Sequence, residues 1–171
     1  MKQHRNKIAF GGGCYWCLEA VYQSLRGVRW VEQGFIAPDT ASGLFSEAVI
    51  VHYNPAEISQ ESLIEIHLHT HKSTSNHSRR SKYRSAVYTF SEEQNQQAGN
   101  ILRMFQEDFE ERLITKAYLF NAFKPSEVEF HNYYYSNPEK PFCKRFIEPK
   151  LRLLLHRFKR LVNEEKLTAG I

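Results

Sequence analysis

The segment Phe10-Gly11-Gly12-Gly13-Cys14-Tyr15-Trp16-Cys17 sets a thiol directly after three glycines and a second thiol three positions later. Glycines turn the backbone tightly and leave the Cys14 sulfur uncrowded. Helical periodicity begins after them, so Cys14 falls at or near a helix N-terminus, where the dipole and free N–H groups favour a thiolate. Tyr15 and Trp16 supply an apolar wall beside that sulfur. The C-x-x-C spacing of Cys14 and Cys17 suits thiol–disulfide exchange, because one helical turn brings the sulfurs together. It also suits half of a zinc site, although no second ligand pair of similar spacing follows. Cys17 lies on the apolar stripe of the expected helix and equally fits plain core packing.

Four further features carry possible chemistry. Glu47 shares a strand face with Val49, Val51 and Tyr53. Apolar neighbours desolvate a carboxyl, raise its pKa and keep it partly protonated, which makes a proton donor. Tyr83, ahead of Arg84 and Ser85, can donate a hydrogen bond into a pocket or serve as a buried strand aromatic. His67, His69, His71 and His77 cluster in sequence. His67 and His71 share a helix face that His69 does not, so a three-histidine metal site needs an irregular backbone. Cys143 follows Asn137-Pro138-Glu139-Lys140-Pro141-Phe142. Two prolines predict a loop there, and a loop cysteine can travel to another sulfur.

These residues need elements to hold them. Lys7 to Phe10 reads as a strand, and the helix from Cys14 to Leu25 ends at Gly27. Val28 to Phe35 and Glu47 to Tyr53 read as strands around a loop over residues 36–44. Ser59 is the expected N-cap of a helix through Leu63 and Ile66. A polar stretch, His71 to Lys82, precedes a strand over Tyr83 to Phe90. Ser91-Glu92-Glu93-Gln94 has capping-box form and opens a long helix. Ile114 to Phe120 is strand-like, and Glu127 to Tyr134 suggests a short helix. Leu151, Leu154, Leu155, Phe158, Leu161 and Val162 form the stripe of a C-terminal helix. The order β-α-β-β-α-β is the split βαβ pattern. The expectation is one α+β domain over residues 1–171, with a two-layer, ferredoxin-like core over about residues 7–150. A C-terminal helical extension follows over about residues 150–166.

The 171 residues suffice for one domain with a real core. No run is long enough to span a membrane, and the polar start, residues 1–5, is no signal-peptide core. The expected compartment is the cytoplasm. Three cysteines, an odd number, argue against a disulfide scaffold and for thiol chemistry. The net charge of +4 comes with no basic–aromatic module, so no nucleic-acid partner is expected. A monomer is expected.

Several segments in order resemble the A-type peptide methionine sulfoxide reductases. Gly11-Gly12-Gly13-Cys14-Tyr15-Trp16 resembles that family's Gly-Gly-Cys-Phe-Trp signature. Ser46-Glu47-Ala48-Val49 resembles the segment holding its catalytic glutamate, and Tyr83-Arg84-Ser85-Ala86 its Gln-Tyr-Arg-Ser strand. His131-Asn132-Tyr133, Asn137-Pro138 and Phe142-Cys143 resemble its C-terminal elements. The resemblance spans about residues 7–150. It implies reduction of the S-epimer of methionine sulfoxide, free or in proteins. Cys14 would attack the sulfoxide sulfur, Tyr15 and Trp16 would hold the substrate methyl group, and Glu47 would protonate the oxygen while Tyr83 hydrogen-bonds it. Cys14 would become a sulfenic acid, and Cys143 occupies the usual resolving position. Thioredoxin would reduce the resulting disulfide, with dithiothreitol serving in vitro. No metal and no bound organic cofactor are implied.

The chain departs from the family pattern at several points. Cys17 stands where the family usually has Gly and offers an alternative resolving thiol. Phe35 stands for a second pocket tyrosine. The segment from His71 to Lys82 is shortened, and the usual aspartate falls near Ser78 or opposite Arg79 and Arg80. Lost hydroxyl and carboxylate contacts cost about 1–3 kcal/mol per unpaired group. Two other functions fit parts of the sequence: a general thiol–disulfide oxidoreductase using Cys14 and Cys17, and a zinc-binding module using those cysteines with histidines.

Overall fold

The computed structural model describes residues 6–168, so the polar lead-in over residues 1–5 lies outside the described residues. Strand β1 (Asn6–Gly11) leads into helix α1 (Tyr15–Gln23), followed by β2 (Val28–Pro38) and β3 (Ser46–Tyr53). Helix α2 (Gln60–Thr70), strand β4 (Ala86–Thr89), helix α3 (Glu92–Phe105) and strand β5 (Lys116–Pro125) complete the core. β1 pairs antiparallel with β3 and β4, and β2 pairs antiparallel with β3 and β5. β4 and β5 run parallel.

These pairings close the sheet into a barrel of order β1-β3-β2-β5-β4. The expected open two-layer, ferredoxin-like sheet is therefore corrected, while the mixed α/β character stands. The order β-α-β-β-α-β is present, but β5 bonds β2 on one side and β4 on the other, so no edge is left open.

Alternation along the strands sorts side chains into two apolar clusters. Ile8, Phe10, Val49, Val51 and Val87 pack with residues of the helices. Ala9, Ile36, Ala48, Ile50, Ala86 and Tyr88 form a second cluster built from strands alone, which fills the barrel. All eight residues of β3 are buried because both of its faces are covered. Glu47 has the parity of Val49, so it lies on the helix-facing side near the start of α1.

The expected caps are in place. The Ser62 amide donates to Ser59 Oγ at 3.0 Å, and the Gln94 amide donates to Ser91 Oγ at 3.1 Å. Gly27 ends the α1 turn at a φ of 82°, a conformation that glycine adopts without strain. β4 is shorter than its apolar run suggests: Tyr83 is still in a turn, its amide donating to Arg79 O at 3.0 Å.

The C-terminal part is not an extension. Helix α4 (Tyr133–Ser136), a wide helical turn (Cys143–Ile147), α5 (Glu148–Arg157) and α6 (Glu164–Thr168) are separate short pieces. Phe158 leaves helical geometry at φ −123° and ψ 32°, which breaks the single helix expected there. Leu151, Leu154, Phe158, Val162 and Leu167 are buried in the same cluster as α1. Among the described residues, no helix is long and apolar enough to cross a membrane.

Candidate active site

Cys14 is the N-cap of α1. Its carbonyl accepts from the Cys17 and Leu18 amides at 3.1 and 3.2 Å, and its side chain makes no cap bond. The chain reaches it through Gly12, whose φ is 148° and where an added Cβ would sit 2.6 Å from the His71 ring. Only glycine meets both demands. Gly13 faces open space. The next amide along, Tyr15 N–H, donates to Glu47 Oε1 at 3.2 Å. Glu47 is 5 % exposed. Burial raises its pKa, outweighing the Tyr15 amide and the Lys82 ammonium, which lies 3.6 Å from Oε2 and is itself exposed. The expected desolvated carboxyl thus sits beside the thiol-bearing helix start.

The side chains of Cys14 and Cys17, one helical turn apart, interact with each other. This raises the Cys14 pKa, as does burial, and lowers that of Cys17, an effect to which Lys150 adds. The Trp16 amide favours the expected thiolate on Cys14, while Cys17 and burial oppose it. All three cysteines are free thiols. Cys143 is fully buried in its helical turn, its thiol donating to Asn137 O at 3.6 Å. The expected loop is thus corrected to a helical turn. Prolines 138 and 141 end one turn and start the next, and the apolar stripe that follows pulls the thiol inward. Burial raises Cys143, and the charge of Cys17 adds to the rise, so the two lie within electrostatic reach.

Aromatic rings wall the cysteine side. Phe35, paired in register with Glu47, meets Tyr15 edge-on at 5.6 Å between centroids. Tyr15 and Trp16 are 6.1 Å apart. Trp16 stacks on Tyr133 at 3.9 Å and takes Phe130 and Phe142 against its edges. Sequence reading finds the first three rings and misses Tyr133, Phe130 and Phe142. Glu19, also missed, anchors that second wall: the Asn132 and Tyr133 amides donate to its two oxygens at 3.0 and 3.1 Å. A glutamate on the buried stripe of α1 is the signal that marks it.

The altered segment between α2 and β4 is held by Arg80. Its guanidinium donates to the carbonyls of Gly12, Lys72, Ser75 and Tyr83. It thus ties the segment to the cysteine loop. Tyr83 lies there with Arg79 and Lys82 near its ring face, at 5.4 and 5.2 Å from the centroid. His67, His69 and His71 each have hydrogen-bond partners. His67 Nε2 donates to Gly11 O at 2.7 Å; His71 Nδ1 donates to His67 O, and its Nε2 accepts from Ser85 Oγ at 2.8 Å. His69 turns away to Asp108, as the face argument requires.

The sequence pattern described as peptide methionine sulfoxide reductase matches residues 6–161. A peptide methionine sulfoxide reductase MsrA of Acinetobacter baumannii is 29% identical over 170 residues, covering 91% of this chain and 97% of its own. The MsrA of Deinococcus radiodurans is 34% identical over 166 residues, covering 88% and 81%. Among solved structures, methionine sulfoxide reductase A of Corynebacterium diphtheriae superposes with a TM-score of 0.69 at 23% identity, covering 80% of this chain and 77% of that one. Mxr1 of Saccharomyces cerevisiae, solved in complex with Trx2, gives a TM-score of 0.62 at 19% identity, covering 74% and 84%. With the pattern matched over nearly its whole length, the chain belongs to the peptide methionine sulfoxide reductase family.

Proposed function

We propose that this chain, acting over residues 1–171 as one domain, reduces methionine (S)-S-oxide, free or in proteins, to methionine. The observation that carries the assignment of roles is the Tyr15 amide bond to Glu47, which sets a buried acid against the N-cap thiol. Cys14 attacks the sulfoxide sulfur. The raised Glu47 carboxyl protonates the oxygen, which leaves poorly until it carries a proton. Tyr83 hydrogen-bonds that oxygen. Tyr15, Trp16 and Phe35 hold the substrate methyl group among rings. Cys14 is left as a sulfenic acid, and methionine departs.

Cys17 is the first resolving thiol in this reading, since it lies one helical turn from Cys14 on α1. Cys143 then attacks the Cys17 sulfur of the Cys14–Cys17 disulfide, forming a Cys17–Cys143 bond and releasing Cys14 as a free thiol. Thioredoxin is the reductant in this reading, consistent with the Trx2 complex of the yeast protein. No metal and no bound organic cofactor take part, and the compartment is the cytoplasm.

Incubating the protein with both epimers of a methionine sulfoxide peptide and dithiothreitol tests the reaction. Loss of the S form alone is expected; loss of neither, or of the R form alone, rejects it. Cys143→Ser should keep the dithiothreitol activity and lose thioredoxin-coupled turnover.

A further inference from the structure

Lys150 has no place in the chemistry above. It stands in the first turn of α5, where its ammonium donates to Thr70 O at the end of α2. Among the described residues it pairs with no carboxylate. Burial lowers it, and the charges of Cys17 and Cys14 oppose that lowering. A cation taken from water without a counter-charge is costly. Lys150, Cys17 and Thr70 border one cavity of about 10 Å³, close to the size that one water needs. Lys150 and Cys17 therefore line a common, narrow space.

The other charged groups facing the pair do not supply the missing partner. Glu47 lies toward Cys14 and opposes charge on both sulfurs. Lys72 adds to the strain on Lys150. His67 and His71 are held neutral by burial, with Lys150 adding to the effect. Cys143 is itself a buried thiol pushed upward. Among the described residues, the negative charge that Lys150 meets comes from Cys17 first and from Cys14 second.

We propose that Lys150 is the counter-ion of the Cys14–Cys17 pair: it keeps the pair's negative charge on Cys17, which takes the Cys14 proton as Cys14 attacks and then closes the first disulfide. This rests on the reading of Cys14 as nucleophile and deepens it. At rest Cys14 is S–H and Cys17 is S⁻. As the Cys14 sulfur bonds to the substrate sulfur, its proton passes to Cys17, and the Glu47 proton passes to the oxygen. Methionine leaves reduced by two electrons, and Cys14 holds the oxygen as S–OH. The Cys17 sulfur then bonds to the Cys14 sulfur, the S–O bond breaks, and the hydroxide leaves as water with the Cys17 proton. Lys150 acts through Cys17 and is a positioning residue.

A pH titration of ultraviolet thiolate absorbance, with no sulfoxide present, tests this independently of the reductase reaction. Wild type should show a thiolate forming below the ordinary thiol range, and Cys17→Ser should lose it. Lys150→Met and Lys150→Gln should move that step up by about one pH unit or more, and Lys150→Arg should restore it. In a Cys17→Ser background Lys150→Met should change nothing further. An early thiolate that survives Cys17→Ser overturns the proposal even if both neutral variants fail to fold. So does a Lys150→Met or Lys150→Gln titration that matches wild type, or a Lys150→Met shift that persists without Cys17.

Discussion

Tyr15 and Glu47 are joined through the Tyr15 backbone and the Glu47 side chain: Tyr15 N–H donates to Glu47 Oε1 at 3.2 Å. The residue that follows the N-cap thiol therefore also fixes the carboxyl. The bond satisfies a first-turn amide that has no partner within the helix, and it ties the start of β3 to the start of α1. Glu47→Gln keeps an acceptor for that amide and removes the proton. Its turnover should fall by about a hundredfold or more, with the melting temperature little changed, as steady-state kinetics beside thermal melts would check.

The raised Glu47 carboxyl also sets a pH dependence. It binds its proton more tightly folded than unfolded, so stability falls as pH rises from the ordinary carboxylate range through its native value. Activity should fall over the same upper range, as the acid form is lost. Glu47→Gln should flatten both trends in paired melting and rate profiles against pH.

Much of this geometry is legible in the sequence, and the rest is not for definite reasons. Period-two alternation places Glu47 among Val49 and Val51, and the triple glycine marks the helix start. Barrel closure is invisible because it depends on β5 finding both β2 and β4, which no local pattern encodes. The Cys143 segment reads as a loop from its two prolines, yet tertiary burial of the apolar stripe behind it winds it into a turn. Arg80 looks like one more surface charge. Only the fold shows that four carbonyls converge on it.

That convergence makes Arg80→Ala informative. Losing the guanidinium frees the segment over residues 72–83 and releases its tie to Gly12 O. Hydrogen exchange over this segment should speed up, and kcat should drop. Arg80→Lys should not rescue it, because one ammonium cannot reproduce a planar fork.

Glu19 should act at a distance. Replacing it with Ala strands the Asn132 and Tyr133 amides and loosens the ring stacked on Trp16. A stability loss of about 2 kcal/mol is expected by urea titration. KM for a sulfoxide peptide should rise more than kcat falls, since the wall is disturbed and the thiol is not.

His67 gives the acid limb of stability. Burial lowers it to about 3, so the unfolded chain binds the proton first as pH falls below the ordinary histidine value. Stability from this group is full above about pH 6.5 and declines toward pH 3 by up to about 1.4 kcal/mol per pH unit. Urea midpoints across that range should show the decline, with His71, also held neutral, adding to it.

Trapping the oxygen on one sulfur tests the reaction most directly. A Cys17→Ser, Cys143→Ser protein, given the S-epimer of a methionine sulfoxide peptide and a sulfenic-acid trap, should release one equivalent of methionine peptide and carry the trap on Cys14 by mass spectrometry. A trap on any other residue, or methionine peptide released with Cys14 left unmodified, would contradict Cys14 as the atom that takes the oxygen.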